Sequence, residues 1–159
     1  MDDLNGINCK PKYMYDQPMF MVVVNTVVID ENGVLMIPNK NLEYRFPRGI
    51  VDAGHETIQF AAVRHVKEQL GVVVKKKSLI PIDFRNNPSV LNAENIIDIG
   101  FVVFLEDANC NPHMIDSNYS WVEVDFEEKK AILGNNKFIS KDNEVLLRRA
   151  LEVVLMIKD

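Results

Sequence analysis

The segment from Pro47 to Val72 constrains the fold more than any other stretch of the chain. Pro47, Gly49 and Gly54 punctuate its beginning, a composition that predicts a loop over Pro47–Glu56. Thr57 follows as an N-cap candidate, because its hydroxyl can accept from a free amide of the next turn. Ile58 to Leu70 then reads as one helix, and Gly71 stands where a left-handed residue ends it. At about 100° per residue, Phe60, Val63, Val66 and Leu70 fall on one stripe, which predicts the buried face. His65, Glu68 and Gln69 stand at i, i+3 and i+4 and project from one face away from that stripe.

The flanks of this segment predict a sheet. Phe20–Ile29 is rich in Val and Ile and reads as a central strand. The longest apolar run, Pro18–Ile29, is broken by Asn25 and is too short to cross a bilayer. Asp30–Gly33 carries an Asn-Gly hairpin signal before a returning strand, Val34–Pro38. Asn39–Leu42 turns again, ahead of a short strand over Glu43–Phe46. Further strands are predicted at Val72–Val74, Leu79–Phe84, Ile96–Leu105 and Trp121–Val124, with a polar loop over 85–95. Phe126–Leu133 suits a short helix, and Asp142 or Asn143 caps a final one reaching about Ile157. Residues 1–17 are polar and irregular and read as an N-terminal arm or a loose edge strand. The order of elements implies a mixed α/β sandwich, and the absence of a linker implies a single domain over 1–159.

Composition narrows the function classes. The 159 residues are 47% hydrophobic and 26% charged, which excludes disorder and fits one core. A net charge of −5 gives the whole chain no electrostatic footprint for nucleic acid or an anionic membrane. Cys9 and Cys110 have no metal-ligand spacing, and Asp2 and Asp3 replace the basic start of a signal peptide. Reduced thiols without a signal peptide predict a cytoplasmic protein.

The loop and helix together resemble the Nudix box, G-x5-E-x7-R-E-U-x-E-E-x-G-U with U aliphatic. Glu56, seven residues and then Arg64 reproduce its core spacing, and Val66, Glu68, Gly71 and Val72 fall on their positions. The sequence departs from the pattern in three ways. Gly49 to Glu56 holds one residue too many, while His65 and Gln69 stand where the family has Glu. The insertion belongs in the loop, because a shift within the helix would rotate each later side chain by about 100°.

The resemblance implies a Nudix-type α/β/α sandwich with a mixed sheet, MutT-like in plan. It also implies chemistry at a diphosphate within a nucleoside diphosphate linked to another moiety, where water attacks phosphorus beside divalent ions. In that frame Glu68, His65 and Gln69 occupy the catalytic and metal-binding face. Only Glu68 is a full Mg²⁺ ligand there. Gln69 offers a neutral amide oxygen, and His65 an imidazole better suited to Mn²⁺ or Zn²⁺, or to general-base work. The resemblance makes the carbonyl region of Gly49 a further metal ligand, and Glu56, Arg64, Gly49, Gly54 and Gly71 the supports of the box. Arg48 replaces the first glycine of the common pair and either meets phosphate or faces solvent. Pro88 lies sixteen residues past Val72, near where ADP-ribose-cleaving members carry a proline. Asp52, Glu94 and Asp98 are candidates to replace a missing carboxylate.

Three functions follow from the degenerate box. The first is a ligand-binding protein with weak or absent hydrolysis, its partner a nucleotide-like small molecule. The second is an active pyrophosphohydrolase with an ADP-ribose-like substrate and an altered metal site, using Mg²⁺ or Mn²⁺, where the first needs no cofactor. The third is a structural or interaction module, a homodimer if an arm around Tyr13–Phe20 exchanges between subunits. None leaves room for a DNA-binding domain, and none involves a membrane. Against any site at all stands the plainer alternative that His65, Glu68 and Gln69 form a solvated helix face.

Overall fold

The structure, a computed structural model, describes residues 20–52, 54–88, 95–107 and 120–158. The expected arm over 1–17, Glu94, Cys9 and Cys110 lie outside the described residues. The elements are β1 (Phe20–Asp30), β2 (Gly33–Pro38), β3 (Glu43–Arg45), β4 (Arg48–Ile50), α1 (Ile58–Leu70), β5 (Ile80–Pro88) and β6 (Asn95–Phe104). They continue with β7 (Ser120–Val122), β8 (Val124–Asp125), β9 (Lys130–Ala131), β10 (Phe138–Ile139) and α2 (Lys141–Lys158).

Strand β1 organises the sheet. Its alternating side chains feed two apolar clusters, Val24 and Val28 on one face and Val27 and Ile29 on the other. That is why its sequence is apolar without alternation: both faces are covered. Ala61, Ala62, Val66 and Leu70 of α1 close the first cluster, and Leu147, Ala150, Leu151 and Val154 of α2 close the second. The main sheet runs β10-β3-β2-β1-β6-β5, with β4 also paired to β1 and β7 to β2. It is mixed, since β1 runs parallel to β6 and antiparallel to β2 and β4. β8 and β9 form a separate hairpin. Sheet and helices make the α/β sandwich that the order of elements predicts. Among the described residues no helix is long and apolar enough to cross a membrane.

Helix α1 spans the residues its caps predict. Thr57 Oγ1 accepts from the Phe60 amide at 3.1 Å, and Gly71 closes the helix at φ 70°. Val66 and Leu70 of the expected stripe are buried and Val63 packs against the same cluster, but the stripe does not hold at Phe60. Phe60 is 55% exposed, while Ala61 and Ala62 are buried in its place. Small residues there let the helix lie close to the sheet, so the largest apolar side chain was a poor guide to the inner face.

Other expectations need correction. The predicted loop over Pro47–Glu56 contains β4, because Arg48, Gly49 and Ile50 pair with Asn25, Val24 and Val23 of β1. The predicted loop over 85–95 starts later, since β5 pairs with β6 as far as Pro88 and Asn95. Pro88 is therefore the last residue of an edge strand, where a missing amide is tolerated. Val72–Val74 forms no strand beyond a bridge at Val74. Residues 126–129 are a turn, not a helix, because the Asp125 carboxylate accepts from the Glu127 and Glu128 amides at 3.0 Å each. Helix α2 starts earlier than expected, with Ser140 Oγ accepting from the Asn143 amide at 3.2 Å.

The β1–β2 turn also differs in kind from the expected hairpin. Neither Glu31 nor Asn32 has positive φ, so the Asn-Gly pair does not form the mirror-image turn. Instead the Asp30 carboxylate accepts from the Asn32 and Gly33 amides, and Gly33 pairs with Asp30. Gly33 lies at φ 148°, where an added Cβ would stand 2.1 Å from the Val122 carbonyl oxygen. Gly33→Ala is expected to destabilise the protein by about 2–3 kcal/mol, read as a lowered midpoint in urea unfolding.

Candidate functional site

The loop and α1 are joined by Arg64. Its Nε donates to Glu56 Oε2 at 3.0 Å and its Nη2 to Glu56 Oε1 at 2.6 Å, a bidentate pair. Nη2 also reaches the Ile50 carbonyl at 3.3 Å, and Nη1 reaches Glu68 Oε1 at 3.2 Å. Glu56 Oε1 accepts in addition from the Asp52 amide at 2.9 Å, and the Glu56 side chain is only 7% exposed. The Arg64 bonds first, and the Asp52 amide second, hold the Glu56 carboxyl down at about 2. The meeting of Glu56 with Arg64 agrees with an insertion placed in the loop. Gly54 sits at φ 89° in the turn between Asp52 and Glu56, a conformation that favours glycine.

His65 and Gln69 turn under the helix toward β4 and do not form a solvated face. His65 is 12% exposed, and its Nε2 lies 2.9 Å from the Ile50 carbonyl oxygen. A carbonyl only accepts, so Nε2 carries the proton. The imidazole lies against Gly49, where a Cβ would come within 2.0 Å of the ring. Gly49 is thus fixed by close approach and not by its own backbone angle. Gln69 grips the Arg48 peptide from both sides. Its Oε1 accepts from the Arg48 amide at 3.1 Å, and its Nε2 donates to the Arg48 carbonyl at 2.8 Å. The same Oε1 accepts from Arg45 Nη1 at 3.1 Å.

These contacts decide how well the face suits a cation. A carboxylate cannot donate to the carbonyls that His65 and Gln69 satisfy. Those carbonyls, on either side of Gly49, each accept one of these bonds. Glu68 is 55% exposed but already paired with Arg64, and His65 Nδ1 lies 3.5 Å from it. The remaining donors are one paired carboxylate and one imidazole nitrogen, a poor set for Mg²⁺, which favours oxygen in octahedral geometry. Among the described residues no three His, Cys, Asp or Glu side chains gather as a metal group. Asp52 faces solvent beside His55 at 3.2 Å, and Asp98 is engaged by Asn25 and Arg48.

Beyond this face lies a cleft of about 240 Å³ between β3–β4, β5–β6 and the start of α2. Asn25, Arg45, Arg48, Arg85, Asp98 and Asn143 are among its walls. Arg48 Nη2 donates to Asp98 Oδ1 at 3.2 Å, and Asn25 Nδ2 donates to the same oxygen at 3.2 Å. Arg85 lies against Asp83 at 2.9 Å and Asp142 at 3.2 Å. The structure therefore gathers Arg48 with Arg45, Arg85, Asn25 and Asp98, a set that sequence reasoning did not assemble. One signal was present: Asn25 is a polar interruption of an apolar strand, and it faces this cleft. Arg45 and Arg85 carried no comparable mark.

The NUDIX domain family model matches residues 19–141, so the chain belongs to the NUDIX domain family. An ADP-ribose pyrophosphatase of Methanocaldococcus jannaschii is 31% identical over 86 residues, covering 52% of this chain. That match spans 49% of the relative, about half its length. Among solved structures, a MutT/nudix family protein from Enterococcus faecalis superposes with a TM-score of 0.62 at 15% identity. It covers 94% of this chain and 70% of its own. A MutT NUDIX hydrolase from Burkholderia pseudomallei gives 0.62 at 14% identity, over 82% of this chain and 98% of its own. At such identities the two structures speak for the fold alone.

Two expectations follow from this geometry. The folded Glu56 carboxyl titrates near 2, below its ordinary value of 4.5. Its stabilising effect is therefore complete above pH 4.5 and is lost as pH falls toward about 2. Thermal melts should show Glu56→Gln less stable than the natural chain at neutral pH, with the gap closing across that acid window. Separately, Gly49→Ala must displace the His65 ring and should cost about 1–3 kcal/mol. His65→Ala in the same chain should recover much of that loss, measured as a non-additive double-mutant cycle in urea unfolding.

Proposed function

We propose that this protein binds a nucleoside diphosphate linked to another moiety in the arginine-lined cleft, and hydrolyses it weakly or not at all. One observation carries the reading. His65 and Gln69 engage the Ile50 and Arg48 carbonyls, bonds that a carboxylate could not make. The box in this chain acts as a brace between α1 and β4. The cleft beside it presents three arginines and two asparagines together with the carboxylates of Glu43, Asp83, Asp98 and Asp142, a polar lining for a charged ligand. ADP-ribose is the first ligand to test, because the curated relative is named an ADP-ribose pyrophosphatase. The reading retains the cytoplasmic setting predicted from the cysteines.

One observation favours an active site of altered metal preference. His65 Nδ1 and Glu68 Oε1 stand 3.5 Å apart, a nitrogen and oxygen pair more acceptable to Mn²⁺ than to Mg²⁺. A single panel separates the readings. ADP-ribose, NADH, sugar nucleotides, dinucleoside polyphosphates and nucleoside triphosphates are incubated with protein in Mg²⁺ and in Mn²⁺, with product release and calorimetric binding recorded. Binding of at least one ligand with background turnover is expected. Turnover in Mn²⁺ that Glu68→Gln abolishes would establish the active reading instead. Saturating calorimetry without binding would remove both.

A further inference from the structure

We infer that Arg45, with Arg48 beside it, forms an anion subsite that takes a phosphoryl group without a divalent cation. The starting point is how the arginines of the cleft are compensated. Arg48 has Asp98 at 3.2 Å. Arg85 has Asp83 at 2.9 Å and Asp142 at 3.2 Å. Arg45 differs. Its Nη1 donates to the Phe46 carbonyl at 3.3 Å and to Gln69 Oε1 at 3.1 Å, and both acceptors are neutral. Among the described residues no carboxylate lies within ion-pair distance of it. Arg45 is half-buried, so its guanidinium has lost part of its hydration and gains from an anionic partner.

Its position fits that role. Arg45 and Arg48 both border the 240 Å³ cleft and also an adjoining open hollow of about 330 Å³ floored by Met21, Val23 and Ile96. They therefore stand where a polar and an apolar part of one ligand would join. Burial and, after it, the like charge of Arg48 lower the Arg45 pKa. The charge of an arriving anion would act against both effects by favouring the charged guanidinium. The guanidinium fork matches the spacing of phosphoryl oxygens and gives two parallel bonds where geometry allows.

The identity of residue 69 belongs to the same device. A glutamate would also accept from Arg45, but it would pair with it as an ion and cancel its charge. Glutamine keeps the guanidinium oriented and leaves its charge for the ligand. The substitution that weakens a metal face thus creates a cationic one, and guanidinium groups neutralise phosphate in place of divalent ions. The inference rests on the proposed reading only in placing a diphosphate ligand in this cleft.

Calorimetry tests it with inorganic pyrophosphate and with ADP-ribose, each in EDTA and in Mg²⁺. The natural chain should bind both in EDTA, with Mg²⁺ changing affinity less than about threefold. Arg45→Gln, which can still bond to Gln69, should weaken both by about tenfold or more, since a charge-assisted bond is lost. Arg45→Lys should fall between, and Gln69→Glu should weaken both in EDTA, because the new carboxylate offsets the Arg45 charge while the guanidinium itself is retained. Thermal melts establish that each variant is folded, and the lysine and glutamate variants keep the test decisive if Arg45→Gln is not. Binding that requires Mg²⁺, or that is unchanged by all three substitutions, would overturn the subsite while leaving the ligand reading in place. Pyrophosphate binding as tightly as ADP-ribose would support the subsite and count against a nucleotide ligand. Failure of both probes to bind would overturn the two together.

Discussion

The Arg64 guanidinium holds the functional half of the molecule in one arrangement. It reaches the Glu56 carboxylate, the Ile50 carbonyl and the Glu68 carboxylate, so loop, strand β4 and helix α1 share one cation. Glu56 then extends the same contact to the Asp52 amide. The brace from His65 and Gln69 to β4, and the seating of the imidazole on Gly49, depend on the register of α1. Strand β4 is in turn paired with β1, the strand on which both apolar clusters are built.

The NUDIX family assignment and the residues of this chain pull in different directions. The frame survives: turn glycine, Glu–Arg pair, capped helix and left-handed Gly71. At positions 65 and 69, where the resemblance to the Nudix box leads one to expect carboxylates, stand groups that donate hydrogen bonds to backbone carbonyls. Polar substitutions on an otherwise retained frame need not be neutral decay. Here they brace β4, and among the described residues Arg45 meets neutral acceptors, the Phe46 carbonyl and Gln69 Oε1.

Much of this was legible in the chain. Thr57 and Gly71 delimit α1 because capping is a local matter of a few consecutive residues. The apolar run of β1 marked a strand covered on both faces, and the spacing from Glu56 to Arg64 marked the pair that meets. What failed was also local in origin. The helical stripe through Phe60, Val63, Val66 and Leu70 places Phe60 inward, but Ala61 and Ala62 occupy the close contact with the sheet. Residues 126–133 had a helical composition that the Asp125 side chain overrode by capping a turn.

The sequence by itself determined the main strands, the capped helix α1 and the Glu56–Arg64 spacing, since each depends on neighbours along the chain. Only the tertiary structure decided what the departures do. Whether His65 and Gln69 face solvent, metal or backbone turns on the pairing of β4 with β1, a contact between residues about 25 positions apart. The cleft is less local still, because Asn25, Arg45, Arg85, Asp98 and Asn143 come from separate elements. No periodicity records such a meeting. That the described acceptors of Arg45 are neutral is visible only once its neighbours in space, and not in sequence, are known.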